Sequence, residues 1–174
     1  TDNLFLSDRA NLIMPYHRVM DGVEEKMKGK LAAGTTKRGI GPCYSDKVGR
    51  FGIRVADLYN PDALRSKLET VVPMKNKIFK AYGEDEEFDV DELYDEYLKY
   101  GERLKKYVTD ISVELDKAMS EGKEVLFEGA QGTHIDIDHG VYPYTTSSHT
   151  ISGGACIGTG LGPKRMDDII GVVK

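Results

Sequence analysis

Apolar and polar residues alternate along this chain with three different rhythms. Leu4 to Leu6 reads as a short strand, and Pro15 opens a helix, since a first-turn proline loses no hydrogen bond. Asn60-Pro61-Asp62 is a second helix start, with Asn60 as the cap. Leu64, Leu68, Val71, Ile78 and Tyr82 then recur at helical spacing up to Gly83, and Pro73 is expected to kink or split that helix. After the acidic stretch GEDEEFDVDE, a further stripe runs through Val90, Leu93, Tyr94, Tyr97, Leu104, Tyr107, Ile111, Leu115 and Ala118. This stripe predicts a second long helix ending near Gly122. Glu124 to Phe127 and residues 169 to 174, IIGVVK, read as strands.

The pattern predicts an α/β fold, part of a largely parallel sheet with a helical subdomain inserted between strands. Three segments are expected: 1–54 (α/β, with a glycine-rich basic loop), 55–121 (helical) and 122–174 (α/β, with a second loop and a terminal strand). The chain begins on Thr1 and stops on an apolar run, so it is expected to be a fragment of a longer enzyme.

Composition removes several function classes. The net charge is -5 over 174 residues, which argues against a nucleic-acid partner. No apolar run approaches a bilayer-spanning length, and the start shows no secretory signal pattern. Cys43 and Cys156 form no Cys-x-x-Cys pair, so a reduced, cytoplasmic setting is expected.

Against that acidic background, GTTKRGIGPCYSDKVGR at 34–50 stands out. From Thr36 to Arg54 there are five basic residues and one acid. Glycines let backbone N–H groups approach an anion, threonine hydroxyls add donors, and arginine grips phosphate with two bonds. The composition fits a phosphate site and equally a mobile surface loop with solvated charges. It contains no Walker pattern.

The second loop, EGAQGTHIDIDHGVYPYTTSSHT, admits two readings of its own. His134, Asp136, Asp138 and His139 could ligate zinc, manganese or magnesium in a metal-dependent hydrolase. The same residue types also cap turns and bond the loop's own N–H groups. A non-catalytic anion-binding module is a further alternative.

Taken together, the stretches resemble the adenylosuccinate synthetase family. Gly39-Ile40-Gly41-Pro42, Tyr44, Lys47 and Arg50 look like its signature, FEGAQGTHIDIDHGVYPYTTSS like its second long motif, and SGGACIGTGLGP like the family segment next after that motif. The resemblance implies a ligase of purine biosynthesis that uses GTP and Mg2+ to join IMP to L-aspartate. IMP is first phosphorylated on its 6-oxygen, and the aspartate amine then displaces that phosphate, giving adenylosuccinate.

The same resemblance implies IMP contacts at Thr36, Gln131 and Thr146. It implies one more at Arg50, reaching into the neighbouring subunit's site of a homodimer. Lys47 and Arg54 match basic positions near the same pocket. Gln131 is the catalytic candidate, because an amide N–H suits a 6-oxygen gathering negative charge.

The family does not place a metal at Asp136 to His139, so no metal ligand is expected in this chain. His134, His149 and Cys43 depart from the family pattern without touching the assigned contacts. The family's N-terminal phosphate loop, its magnesium ligand and its later aspartate- and guanine-binding segments have no counterpart in these residues. The segment alone is therefore expected to be inactive.

Overall fold

The computed structural model describes residues 3–32 and 34–173. The chain separates into two compact units, Thr1–Thr109 and Asp110–Lys174.

The first unit is helical around a minimal sheet. Strand β1 (Leu6–Ser7) pairs in parallel with β2 (Val108–Thr109), Leu6 beside Val108 and Ser7 beside Thr109. The β-branched Val108 and Thr109 suit that pleated pairing. Helix α1 (Pro15–Lys28) starts on its proline as the pattern predicts. Helix α2 (Ile40–Gly49) lies inside the stretch read as a loop. Its start is set by Gly39, whose φ of 81° turns the chain into the helix, and Pro42 falls early enough to cost little.

Helix α3 (Pro61–Ala81) is capped by Asn60, whose Oδ1 accepts from the Ala63 N–H at 3.1 Å. It is not split: it remains one helix through Pro73. Leu68, Val71, Val72 and Phe79 are buried on both sides of the proline. Their packing outweighs a helix-interior proline's cost of about 3 kcal/mol.

The long helix expected from Val90 is in fact two. Helix α4 (Val90–Leu104) ends in a 3-10 turn and β2, and α5 (Ile111–Ser120) restarts on Asp110. Asp110 Oδ1 accepts from the N–H groups of Ser112 and Val113 at 3.0 and 3.4 Å. A helical stripe continues in phase across such a break, so periodicity alone hides it.

The first unit's core lies where α1, α3 and α4 bring Tyr16, Met20, Leu64, Leu68, Phe79 and Leu93 together. Helix α2 packs on α1. The second unit is held differently. Among its described residues, Leu161 is the one buried hydrophobic, and hydrogen bonds carry the structure. Ser112 Oγ donates to the Thr159 carbonyl at 2.6 Å, joining α5 to α6 (Gly153–Thr159).

Two expected strands do not form. Residues 124–127 and 169–173 carry no regular secondary structure and no ladder partners, with Leu126 84% and Val172 94% exposed; Lys174 lies outside the described residues. A strand is a pairing, and among the described residues nothing hydrogen-bonds these segments. The α/β class holds, but the sheet here is one short parallel pair.

Candidate active site

The basic stretch of the first unit has two parts. Residues 34–38 form a turn, and α2 follows. Asp21, on α1, grips this turn from behind. Its Oδ1 accepts from the Thr35 hydroxyl at 2.6 Å, and its Oδ2 accepts from the Gly39 N–H at 2.9 Å. Thr35 Oγ1 in turn accepts from the Lys37 N–H at 3.0 Å. Glu25 accepts from the Gly34 N–H at 2.5 Å. Thr36, Lys37 and Arg38 are left exposed at the tip, with Lys37 in the left-handed region at φ 54°. The two adjacent threonines thus differ: Thr35 faces the scaffold and Thr36 faces outward.

Helix α2 carries the other basic candidates. Lys47 is exposed, 5.4 Å from the Tyr44 ring centre. Arg50 ends the helix with φ 66°, also exposed. The Asp46 carbonyl accepts from the N–H groups of Phe51 and Gly52 at 2.8 and 3.1 Å, which closes the helix end around Arg50. Arg54 is exposed beyond it, and its backbone N–H donates to Asp57 Oδ2 at 2.7 Å.

The helix itself is anchored by buried charge. Asp46 Oδ2 lies 3.0 Å from His17 Nε2, and Asp46 Oδ1 is 2.6 Å from Lys75 Nζ. His17 Nδ1 accepts from the Met14 N–H at 2.9 Å, so Nε2 is the nitrogen that donates. Burial alone would push the Asp46 carboxyl up. The hydrogen bonds from His17 and Lys75 outweigh burial and hold it below the ordinary carboxylate range.

In the second unit, Asp136 organises the loop. Fully buried, its Oδ1 accepts from the N–H groups of Asp138 and His139, both at 3.0 Å, and its Oδ2 from those of Thr150 and Ile151 at 2.7 and 3.3 Å. The bond from the His139 N–H, reinforced by the others, holds its carboxyl far below the usual range despite burial. Asp138 is exposed and faces His149 at 3.5 Å, not His134 or His139. Among the described residues no three His, Cys, Asp or Glu side chains gather as metal ligands. The hydrolase alternative has no support here: its central carboxylate is a scaffold for the loop, as the turn-capping reading holds.

That scaffold presents Gln131 and Thr146. Gln131 is exposed at φ 63°, and its Oε1 accepts from the Ser148 hydroxyl at 3.4 Å. The amide's N–H2 end has no partner among the described residues. Thr146 is half-buried, its backbone N–H tied to the Ile135 carbonyl at 2.8 Å.

Six site residues read from the sequence therefore sit as two sets: Thr36, Lys47, Arg50 and Arg54 on the first unit, Gln131 and Thr146 on the second. Sequence reasoning missed Asp21, Thr35 and the His17–Asp46–Lys75 cluster. A single acid on a helix face belongs to no motif, and only the packed turn reveals what it holds.

Comparison with known proteins adds an independent line. The family model described as adenylosuccinate synthetase matches residues 1–174. An adenylosuccinate synthetase of Heliobacterium modesticaldum is 58% identical over 99% of this chain and 40% of its own length. One from Caldanaerobacter subterraneus is 55% identical with the same coverage. Among solved structures, a fully ligated adenylosuccinate synthetase from Plasmodium falciparum superposes with a TM-score of 0.84 at 34% identity. That match covers 95% of this chain and 39% of that one. The chain thus spans about 40% of the curated relatives it matches.

Proposed function

The chain belongs to the adenylosuccinate synthetase family, and we propose that it is the IMP-holding part of a GTP-dependent ligase that joins IMP and L-aspartate in purine biosynthesis. The observation that carries this is Gln131. Its carbonyl end is occupied by Ser148 and its N–H2 end has no partner among the described residues, on a loop fixed from within by Asp136.

A neutral amide so held can donate to the 6-oxygen of IMP as that oxygen gathers the negative charge with which it attacks the transferred phosphoryl group. Donation without proton loss suits an oxygen that becomes a phosphate ester and then leaves with that phosphate. Thr36 supplies a hydroxyl donor, beside the charges of Lys37 and Arg38, to the 5′-phosphate, and Thr146 supplies a second hydroxyl. Arg50, exposed at the end of α2, is the contact offered to a neighbouring subunit's IMP in a homodimer. Lys47 and Arg54 add positive potential to the same surface.

Magnesium and GTP are the family's reactants. Asp136 does not fit a magnesium site, because both its oxygens are saturated by backbone N–H groups. The work of these residues is to bind, orient and donate hydrogen bonds. On this reading the 174 residues hold IMP and are expected not to complete the reaction by themselves. A cytoplasmic setting fits this role, and among the described residues no helix is long and apolar enough to cross a membrane.

The test is direct. The full-length protein, given IMP, GTP, aspartate and magnesium, should form adenylosuccinate, and the 174-residue chain should not. A full-length protein that forms none would overturn the reading.

A further inference from the structure

Asp21 is an acid beside a surface proposed to bind a phosphate. A carboxylate there repels the ligand, so its presence needs a reason. The geometry supplies one. Each carboxylate oxygen holds one side of the turn, Oδ1 the Thr35 hydroxyl at 2.6 Å and Oδ2 the Gly39 N–H at 2.9 Å. The Thr35 oxygen then receives the Lys37 N–H at 3.0 Å, which fixes Lys37 in its left-handed conformation.

Four linked groups thus define the shape of residues 35–39. Thr36 and Arg38 lie between the two fixed points and are exposed. Gly39 has no room to shift toward α1, because even a Cβ there would stand 2.8 Å from His17 Cβ and 2.9 Å from the His17 carbonyl carbon.

We propose that Asp21 and Thr35 are positioning residues that hold the Thr36–Arg38 tip in the shape that receives the 5′-phosphate of IMP; this rests on the assignment of Thr36 above. A flexible, glycine-flanked turn must lose conformational freedom on binding a ligand, and a turn already fixed loses less. The charge-assisted bonds to Asp21 supply that order before IMP arrives. The acid's repulsion of the phosphate is the smaller effect, because both oxygens are engaged on the turn's inner side.

The experiment uses the full-length protein and steady-state kinetics with IMP and GTP varied separately, alongside thermal unfolding. Asp21→Ala and Thr35→Val should each raise KM for IMP about tenfold or more, the scale of one lost hydrogen bond to a charged group. KM for GTP and the unfolding midpoint should change little. Thr35→Ser keeps the hydroxyl and should keep the wild-type KM for IMP. Asp21→Asn can accept only with its oxygen, so it should also weaken IMP.

Tighter IMP binding in Asp21→Asn would mean that repulsion dominates, and would overturn the proposal. So would Asp21→Ala and Thr35→Val proteins with unchanged KM for IMP while Thr36→Ala raises it. Equal losses for IMP and GTP with a lowered midpoint would make Asp21 a packing residue only, again against the proposal. If Thr36→Ala itself leaves KM for IMP unchanged, the assignment of Thr36 fails first and the positioning role falls with it.

Discussion

Lys75 Nζ lies 2.6 Å from Asp46 Oδ1, and both residues are buried, at 6% and 5% exposure. Helix α3 thereby holds α2, the helix that carries Lys47 and ends at Arg50. Removing one member of a buried pair strands the other charge. Lys75→Met should therefore destabilise the first unit by about 3 kcal/mol. Asp46→Asn should also cost stability. The double variant should lose less than the two single losses added, because neither charge is then stranded. Denaturant unfolding of the four proteins measures this, and simple additivity would show that the pair is not coupled.

Acid should expose the same cluster. The Asp46 carboxyl sits below its ordinary range in the folded chain, its bonds from His17 and Lys75 outweighing burial. A depressed carboxyl contributes stability that is fully present above the unfolded value, about 3.9, and is lost as pH falls through the folded value beneath it. Asp136 in the second unit is depressed as well, first by the His139 N–H, and its contribution has the same sign. Stability should be flat in this respect above about pH 5 and fall below about pH 4. Lys75→Met removes one cause of the Asp46 depression, so the acid-dependent loss from Asp46 should be smaller and complete at higher pH. An acid-unfolding profile identical to wild type would contradict the link.

Gly39 is tightly constrained within the first motif. Its φ is 81°, and an added Cβ would press on the His17 backbone at 2.9 Å. Gly39→Ala should cost about 2 kcal/mol or more, from left-handed strain and the clash with α1 together. Gly122 has a similar φ of 78° but open space around it, so Gly122→Ala should pay the strain alone. Comparing the two unfolding free energies separates the terms, and equal losses would remove the clash from the account.

The sequence made some of this legible and hid the rest for physical reasons. Helix starts at Pro15 and Asn60 were readable because caps and first-turn prolines act locally. The break at Asp110 was not, because β2 exists only through its pairing with Leu6 and Ser7, far away along the chain. The Ile and Val residues of 169–173 carry strand propensity but have no ladder partner here, and propensity does not make a ladder. At the candidate site, Thr36, Arg50 and Gln131 are named by the family resemblance of the motifs that hold them. Their supports are not: Asp21 reaches Gly39 from 18 positions away, and Lys75 reaches Asp46 from 29.

Gln131 offers a test of chemistry against binding. In the full-length protein, Gln131→Glu keeps the side chain's shape but, once ionised, cannot donate and repels the developing 6-oxyanion. Turnover should fall on the order of 10²–10³-fold, the scale of one lost oxyanion donor. IMP affinity should fall much less, because the ground-state 6-oxygen carries less charge. Single-turnover rates and equilibrium IMP binding separate the two, and a variant that loses affinity but keeps its rate would refute the catalytic role.

Arg50 allows backbone and side-chain effects to be pulled apart. It holds φ 66° at the end of α2, where glycine is at ease. Arg50→Gly should thus fold at least as stably as wild type, while Arg50→Leu keeps the strain. Both lose the guanidinium, so both should weaken IMP by tenfold to a hundredfold, about 1.5–3 kcal/mol for a charged hydrogen bond. Its neighbours Val48 and Phe51 are exposed apolar residues, the kind of surface a second copy would cover. If Arg50 serves that second copy, mixing matters. Homodimers of Arg50→Gly and of Thr36→Ala should each be weak. A heterodimer of the two has one pocket with Thr36 intact on its own chain and Arg50 intact from the other, so mixing should restore part of the activity. Subunits that demonstrably exchange yet recover nothing would place Arg50 in its own chain's site.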